Sequence, residues 1–240
     1  MKQSNIAIVN KATIPLGADL SAMVQALQKQ VTRDFLPLWD IGCNILLLDD
    51  VTDDYDNLII FDTADQAGAL GYHDRSPKGH AYAKVFAKTT VQAKEPISTV
   101  VSHELLEMLA NGNVDKLARN PLNGYLYAVE DCDAVETESY QIDGVAVSNF
   151  VTPQWFDPKA MASTKFDFLG NVHSPFKINP GGYMPVQVNG KWTQIFGSTA
   201  AFERYHRKEH SRTPIITAQE VKPFSSQTYF DPSAFPIVSW

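Results

Sequence analysis

The stretch from Asp19 to Trp39, "DLSAMVQALQKQVTRDFLPLW", places apolar side chains at Leu20, Met23, Val24, Leu27, Val31, Phe35 and Leu38. Recurrence every three to four residues gathers them on one face only if the segment is an α-helix. A helix with a single apolar stripe has to bury it against another layer. The neighbouring sequence supplies strands for that layer. "NIAIVN" at 5–10 precedes the helix, and "NILLLDD" (44–50) and "NLIIFD" (57–62) follow it. Short apolar runs bounded by Asp and Asn read as buried strands. Asp19 is the expected N-cap, and Pro37 marks the approach to the helix end.

"GYHDRSPKGHAYAKVF" (71–86) opens as a Gly-, Pro- and charge-rich loop and then alternates into an edge strand over 81–86. A second helix is predicted from Pro96 to Ala110, with Pro96 in its first turn and Asn111-Gly112-Asn113 as its stop. The order strand, helix, strand, strand, edge strand, helix predicts an α+β fold with a mixed sheet in residues 1–120. Residues 121–240 change character. "GYLYAVED" reads as a strand, Asp143-Gly144 and Asn189-Gly190 read as hairpin turns, and Pro and aromatic residues recur between them. This half is expected to be rich in strands and loops, with the last thirty residues running as an extended tail. "ERYHRKEHSR", which holds His206 and His210, is read as an exposed helical turn.

Composition bounds the function. The chain has 240 residues and a formal charge of −7, with a pI near 5.3. A binder of the phosphate backbone shows a basic excess or stripe, so nucleic acid is not an expected partner. The only apolar run near the N-terminus, "IAIV", is too short for a secretory signal, and no window approaches the ~20 apolar residues of a membrane span. Two cysteines, Cys43 and Cys132, make no disulfide framework. An intracellular chain without a membrane partner is the expectation.

The second helix carries the chemistry. In "STVVSHELLEMLANG" (98–112), His103 and Glu107 are four residues apart and share a face, and Glu104 sits about 100° round from His103. This is the geometry of the H-E-x-x-H motif, where two ligands four apart hold zinc and the intervening Glu is the general base. Glu107 stands here in place of the second His. Zinc accepts carboxylate oxygen as well as imidazole nitrogen. A solvated polar face would produce the same pentapeptide.

The motif and the strand–helix order before it resemble the N-terminal half of the zincin metallopeptidases, of the thermolysin-like type. That resemblance implies a third metal ligand about twenty residues further on, with an acid shortly after it that orients a ligating imidazole. Glu130, 23 residues after Glu107, matches the first, and Asp133 the second. Asp131, Cys132 and Glu136 compete for these roles. "HELLEML", "VEDCD" and "VSNFVTPQWFDP", with "RDFLPLW" and "GYHD" upstream, also resemble a group of uncharacterised bacterial and phage proteins over roughly residues 1–190.

The zincin resemblance implies metal-assisted hydrolysis of a peptide or protein substrate. His103, Glu107 and Glu130 would hold Zn2+ and Glu104 would be the general base, with Tyr72 and His73 as weaker contacts to substrate. Two carboxylates and one imidazole form a harder and more anionic set than two imidazoles and one carboxylate. The expected activity is therefore modest and shifted to higher pH, and manganese or calcium becomes an alternative ion. The competing expectation is a non-catalytic structural protein on the same scaffold, such as a virion assembly component or a homo-oligomer.

Overall fold

The computed structural model describes residues 4–66, 68–161, 163–208 and 215–217. Along the chain run β1 (Ser4–Asn10), α1 (Leu20–Lys29), a π-helical segment (Gln30–Phe35), α2 (Leu36–Trp39), β2 (Cys43–Leu48), β3 (Asp56–Phe61), β4 (Gly71–Arg75), β5 (Ala81–Phe86), α3 (Ala87–Gln92) and α4 (Ile97–Asn111). There follow β6 (Leu117–Arg119), β7 (Leu126–Ala128), β8 (Ser139–Ile142), β9 (Val145–Ser148), β10 (Tyr183–Val188), β11 (Lys191–Phe196), α5 (Thr199–Lys208) and β12 (Ile215–Thr217). Helices and mixed sheets together make an α+β fold. Among the described residues, no helix is long and apolar enough to cross a membrane. The tail beyond 217, and His210, lie outside the described residues.

The chain forms two compact units. The first holds residues 1–113 together with the β8–β9 hairpin at 138–149, and the second holds 114–137 and most of the chain from 150 onward. In the first unit five strands stand in the order β2-β1-β3-β5-β4. The strands β2, β1, β3 and β5 are parallel, and β4 is antiparallel to β5. This corrects the expected edge. Ala81–Phe86 is an interior strand, and the edge is Gly71–Arg75, which the sequence presented as loop. Its Gly and its His-Asp-Arg run hid a strand that a short Ser-Pro-Lys-Gly turn folds back onto β5, closed by Gly79 N–H donating to Ser76 O (2.9 Å). The other edge, β2, is less buried than its apolar run predicts, with Leu47 exposed.

Asp19 caps α1 as expected, its Oδ1 accepting from Ala22 N at 3.0 Å. The long helix does not keep one period. Over Gln30–Phe35 it widens to a π-helix, in which Leu36 N–H reaches back five residues to Val31 O. One extra residue in a turn rotates everything after it. Trp39 is therefore buried and stacked on Phe35 (5.5 Å, 9°), while Leu38, on the predicted stripe, is only half-buried. Burying an aromatic or aliphatic side chain of this size contributes ~1.5–3 kcal/mol.

The same widening turns Gln30 and Asp34 inward. Gln30 Nε2 donates to Ser148 O (2.9 Å), Ser102 Oγ donates to Gln30 Oε1 (2.7 Å), and Ser148 N donates to Ser102 Oγ (3.0 Å). This closed ring of buried hydrogen bonds ties α4 to the π-helical segment and to β9. Buried amide and hydroxyl groups carry no net penalty when each finds such partners. Asp34, also buried, accepts from Tyr140 Oη (2.8 Å) and from Arg33 in a two-pronged pair (2.6 and 2.7 Å).

The predicted hairpin turns both form, with Asp143-Gly144 and Asn189-Gly190 at positive φ. In the second unit the strand order is β12-β11-β10-β7-β6, so "GYLYAVED" contributes β7. An aromatic cluster of Tyr127, Trp155, Phe156 and Phe176 packs there, with Trp155 Nε1 donating to Lys177 O (2.8 Å).

Candidate metal centre

α4 begins after Pro96, which lacks an N–H and has extended backbone (φ −65°, ψ 132°), and runs fifteen residues. It packs on β4, β5 and β9 and is buried on nearly every side, so apolar residues such as Val101, Leu105 and Leu106 share the interior with polar ones such as Ser102, Glu104 and Glu107. Close approach to the sheet requires small residues. A Cβ on Gly112, at the end of α4, would lie 2.6 Å from Met108 O and 3.2 Å from Ala81 Cβ. Ala83 follows on the same face of β5, two residues along.

His73 sits on β4 directly opposite Ala83. Paired residues of an antiparallel ladder point to the same face, so the imidazole is aimed at α4. There it meets both acids: His73 Nδ1 is 3.6 Å from Glu107 Oε2 and 3.8 Å from Glu104 Oε2. His103 Nε2 stands 3.2 Å from Glu107 Oε1, one helical turn away. Glu107 thus lies between two imidazoles, one from its own helix and one from the sheet. The donors of His73, Glu104 and Glu107 all fall within 4.8 Å of one another. Ligands ~2.1 Å from a tetrahedral zinc stand ~3.4 Å apart, which is the spacing of these pairs.

The two carboxylates differ. Burial raises the pKa of Glu104, assisted by the charge of Glu107 and opposed by His73 and His103. Burial also acts to raise Glu107, but His103 and His73 outweigh it and hold the group at about 2. One acid is a fixed anion and the other is inclined to carry a proton, the split expected where two neighbouring carboxyls take different roles. Glu104 Oε2 is buried and accepts no hydrogen bond, since His73 Nδ1 is out of range at 3.8 Å. A buried carboxyl oxygen of this kind has room to accept a hydrogen bond from a water.

The sequence-derived site residues therefore separate. His103, Glu104 and Glu107 stand on α4, and His73, read only as a substrate contact, joins Glu104 and Glu107 as a donor, while His103 adjoins Glu107. Tyr72 does not. Neighbouring residues of a strand point to opposite faces, and Tyr72 turns to the other side of the sheet, where its hydroxyl donates to Asp65 (3.0 Å) and Lys84 lies 5.4 Å over its ring. Glu130 and Asp133 belong to the second unit, where both are buried, as are Asp131 and Cys132. That acidic run is not a solvated loop. The ligand role of Glu130 and the orienting role of Asp133 rest on the zincin resemblance alone. A sequence signal for His73 existed in the alternation "GYHDR" followed by a tight turn, which marks a hairpin strand.

Comparison of the chain with protein-family models, with curated proteins and with solved structures finds no match.

Proposed function

We propose that this chain is a metal-dependent hydrolase, with the cation centred on Glu107 of α4 and flanked by His103 and His73. The observation that carries the reading is the position of the buried Glu107 carboxylate between His73 Nδ1 (3.6 Å) and His103 Nε2 (3.2 Å), with Glu104 beside it on α4. Mixed nitrogen and oxygen donors suit Zn2+, and the share of carboxylate leaves manganese or calcium as alternatives. A bound ion of this kind supplies an acidified water and polarises a carbonyl. Glu104 is the group placed to take that water's proton and return it to the leaving amine. The thermolysin-like resemblance adds Glu130 as a further ligand, Asp133 as the acid orienting His103, and a peptide as substrate.

The test is metal content followed by turnover. Protein stripped with a chelator and dialysed against Zn2+, Mn2+ or Ca2+ should take up about one equivalent of one of them and gain in Tm. Glu107→Gln should abolish uptake. Glu104→Gln should keep the ion and lose cleavage of a fluorogenic peptide library. No uptake of any of the three ions, with Tm indifferent to chelator, would reduce the cluster to a set of His–Glu ion pairs and leave the non-catalytic scaffold standing.

A further inference from the structure

The start of α4 faces a cleft of about 250 Å³ within the first unit, at the other end of the helix from its C-terminal Asn111. Pro15, Leu16, Val91 and Val145 supply its apolar walls, and Ser98 and Glu95 supply its polar groups. Val91 is 53% exposed, unusual for a β-branched residue on a short helix, and leaves the rim of the cleft apolar.

Besides the sealed Thr99 hydroxyl, three donors at the helix start have no partner among the described residues. Pro96 offers no side-chain cap, Thr99 N–H turns back to Pro96 O (3.1 Å), and the N–H groups of Ile97 and Ser98 are left over. Ser98 is the independent observation. It is 5% exposed, it lines the cleft, and its hydroxyl makes no hydrogen bond among the described residues. The hydroxyl opens to the cleft rather than being sealed in the core, so a ligand oxygen there can accept its hydrogen bond. Two free amides, a hydroxyl and the positive end of a fifteen-residue helix together form a receptor for a carboxylate.

Glu95 argues against a simple anion, because a second negative charge at the rim would repel it. A zwitterion resolves the conflict, its carboxylate on the helix start and its ammonium on Glu95. The volume lies below the ~300–1,000 Å³ of pockets for drug-sized ligands, so the occupant is small. The walls ask for an apolar body. We propose that this cleft binds a free α-amino acid with an aliphatic side chain, independently of the metal centre.

Calorimetric titration of the full chain with L-leucine tests this, with two analogues that each lack one charge: 4-methylpentanoate, without the ammonium, and isoamylamine, without the carboxylate. Leucine should bind with a Kd of millimolar or tighter and raise Tm, and both analogues should bind at least tenfold more weakly. Ser98→Ala should weaken leucine at least fivefold with an unchanged far-UV spectrum, and Glu95→Gln should bring leucine down to the level of 4-methylpentanoate. Absence of leucine binding to the native chain at 20 mM, or equal binding of leucine and 4-methylpentanoate, overturns the proposal. Neither result bears on metal uptake.

Discussion

Gly71 of β4 lies against Glu104 of α4 so closely that a methyl group on the glycine would come within 2.5 Å of Glu104 Oε1. The strand thus does two things for the site. It presents His73, and two residues earlier it omits a side chain so that the Glu104 carboxyl has room.

Gly71→Ala should therefore move Glu104 without touching Glu107 or His103. Overpacking a buried contact costs ~1–3 kcal/mol, so the variant should fold with a lowered urea midpoint. It should also lose peptide cleavage more severely than it loses bound metal. A variant with wild-type stability and activity would mean that Glu104 has slack the geometry denies it.

Ser102→Ala removes the hydroxyl that links Gln30 to Ser148. It leaves a buried amide oxygen and a buried backbone N–H without their partner, a loss of ~1–3 kcal/mol. Urea unfolding should record that loss with an unchanged slope. A change below about 0.5 kcal/mol would mean that the ring of hydrogen bonds does not hold α4 in place.

Thr99→Val should stabilise the protein. The Thr99 hydroxyl is buried without a hydrogen-bond partner, and Val has the same shape and a similar helix propensity. Removing an unsatisfied buried hydroxyl should raise stability by ~0.5–2 kcal/mol. Chemical denaturation reads the sign directly, and a loss of stability would reveal a partner for that hydroxyl.

Cys43 sets an alkaline limit. Burial pushes its thiol up to about 12, with the charge of Asp56 adding to the effect. The folded state therefore holds a proton that the unfolded chain releases above ~8.5. This contribution is fully present below that pH and is lost as pH rises towards about 12, with stability falling by up to ~1.4 kcal/mol per unit. Cys43→Ala should flatten the alkaline limb of a stability–pH curve. Neither cysteine is in a disulfide and both are fully buried, so Ellman's reagent at pH 8 should label neither until the chain unfolds.

What the sequence determined by itself was whatever depends on residues within about one helical turn of each other. Asp19 caps because its side chain reaches an amide three residues on. His103 and Glu107 meet because four residues make one turn of a helix. Asp143-Gly144 and Asn189-Gly190 turn because those residues accept positive φ. The π-helical widening escaped, since the exchange of Leu38 for Trp39 in the core is decided by what Gln30 and Asp34 bond to far along the chain. The edge of the sheet was misplaced for a related reason: strand order is a pairing between distant segments, and β4 is short, charged and glycine-led. His73 joined Glu104 and Glu107 only when β4 settled on β5 in a register that pairs His73 with Ala83. A shift of one residue would have turned Tyr72 inward instead, because side chains of a strand alternate between faces.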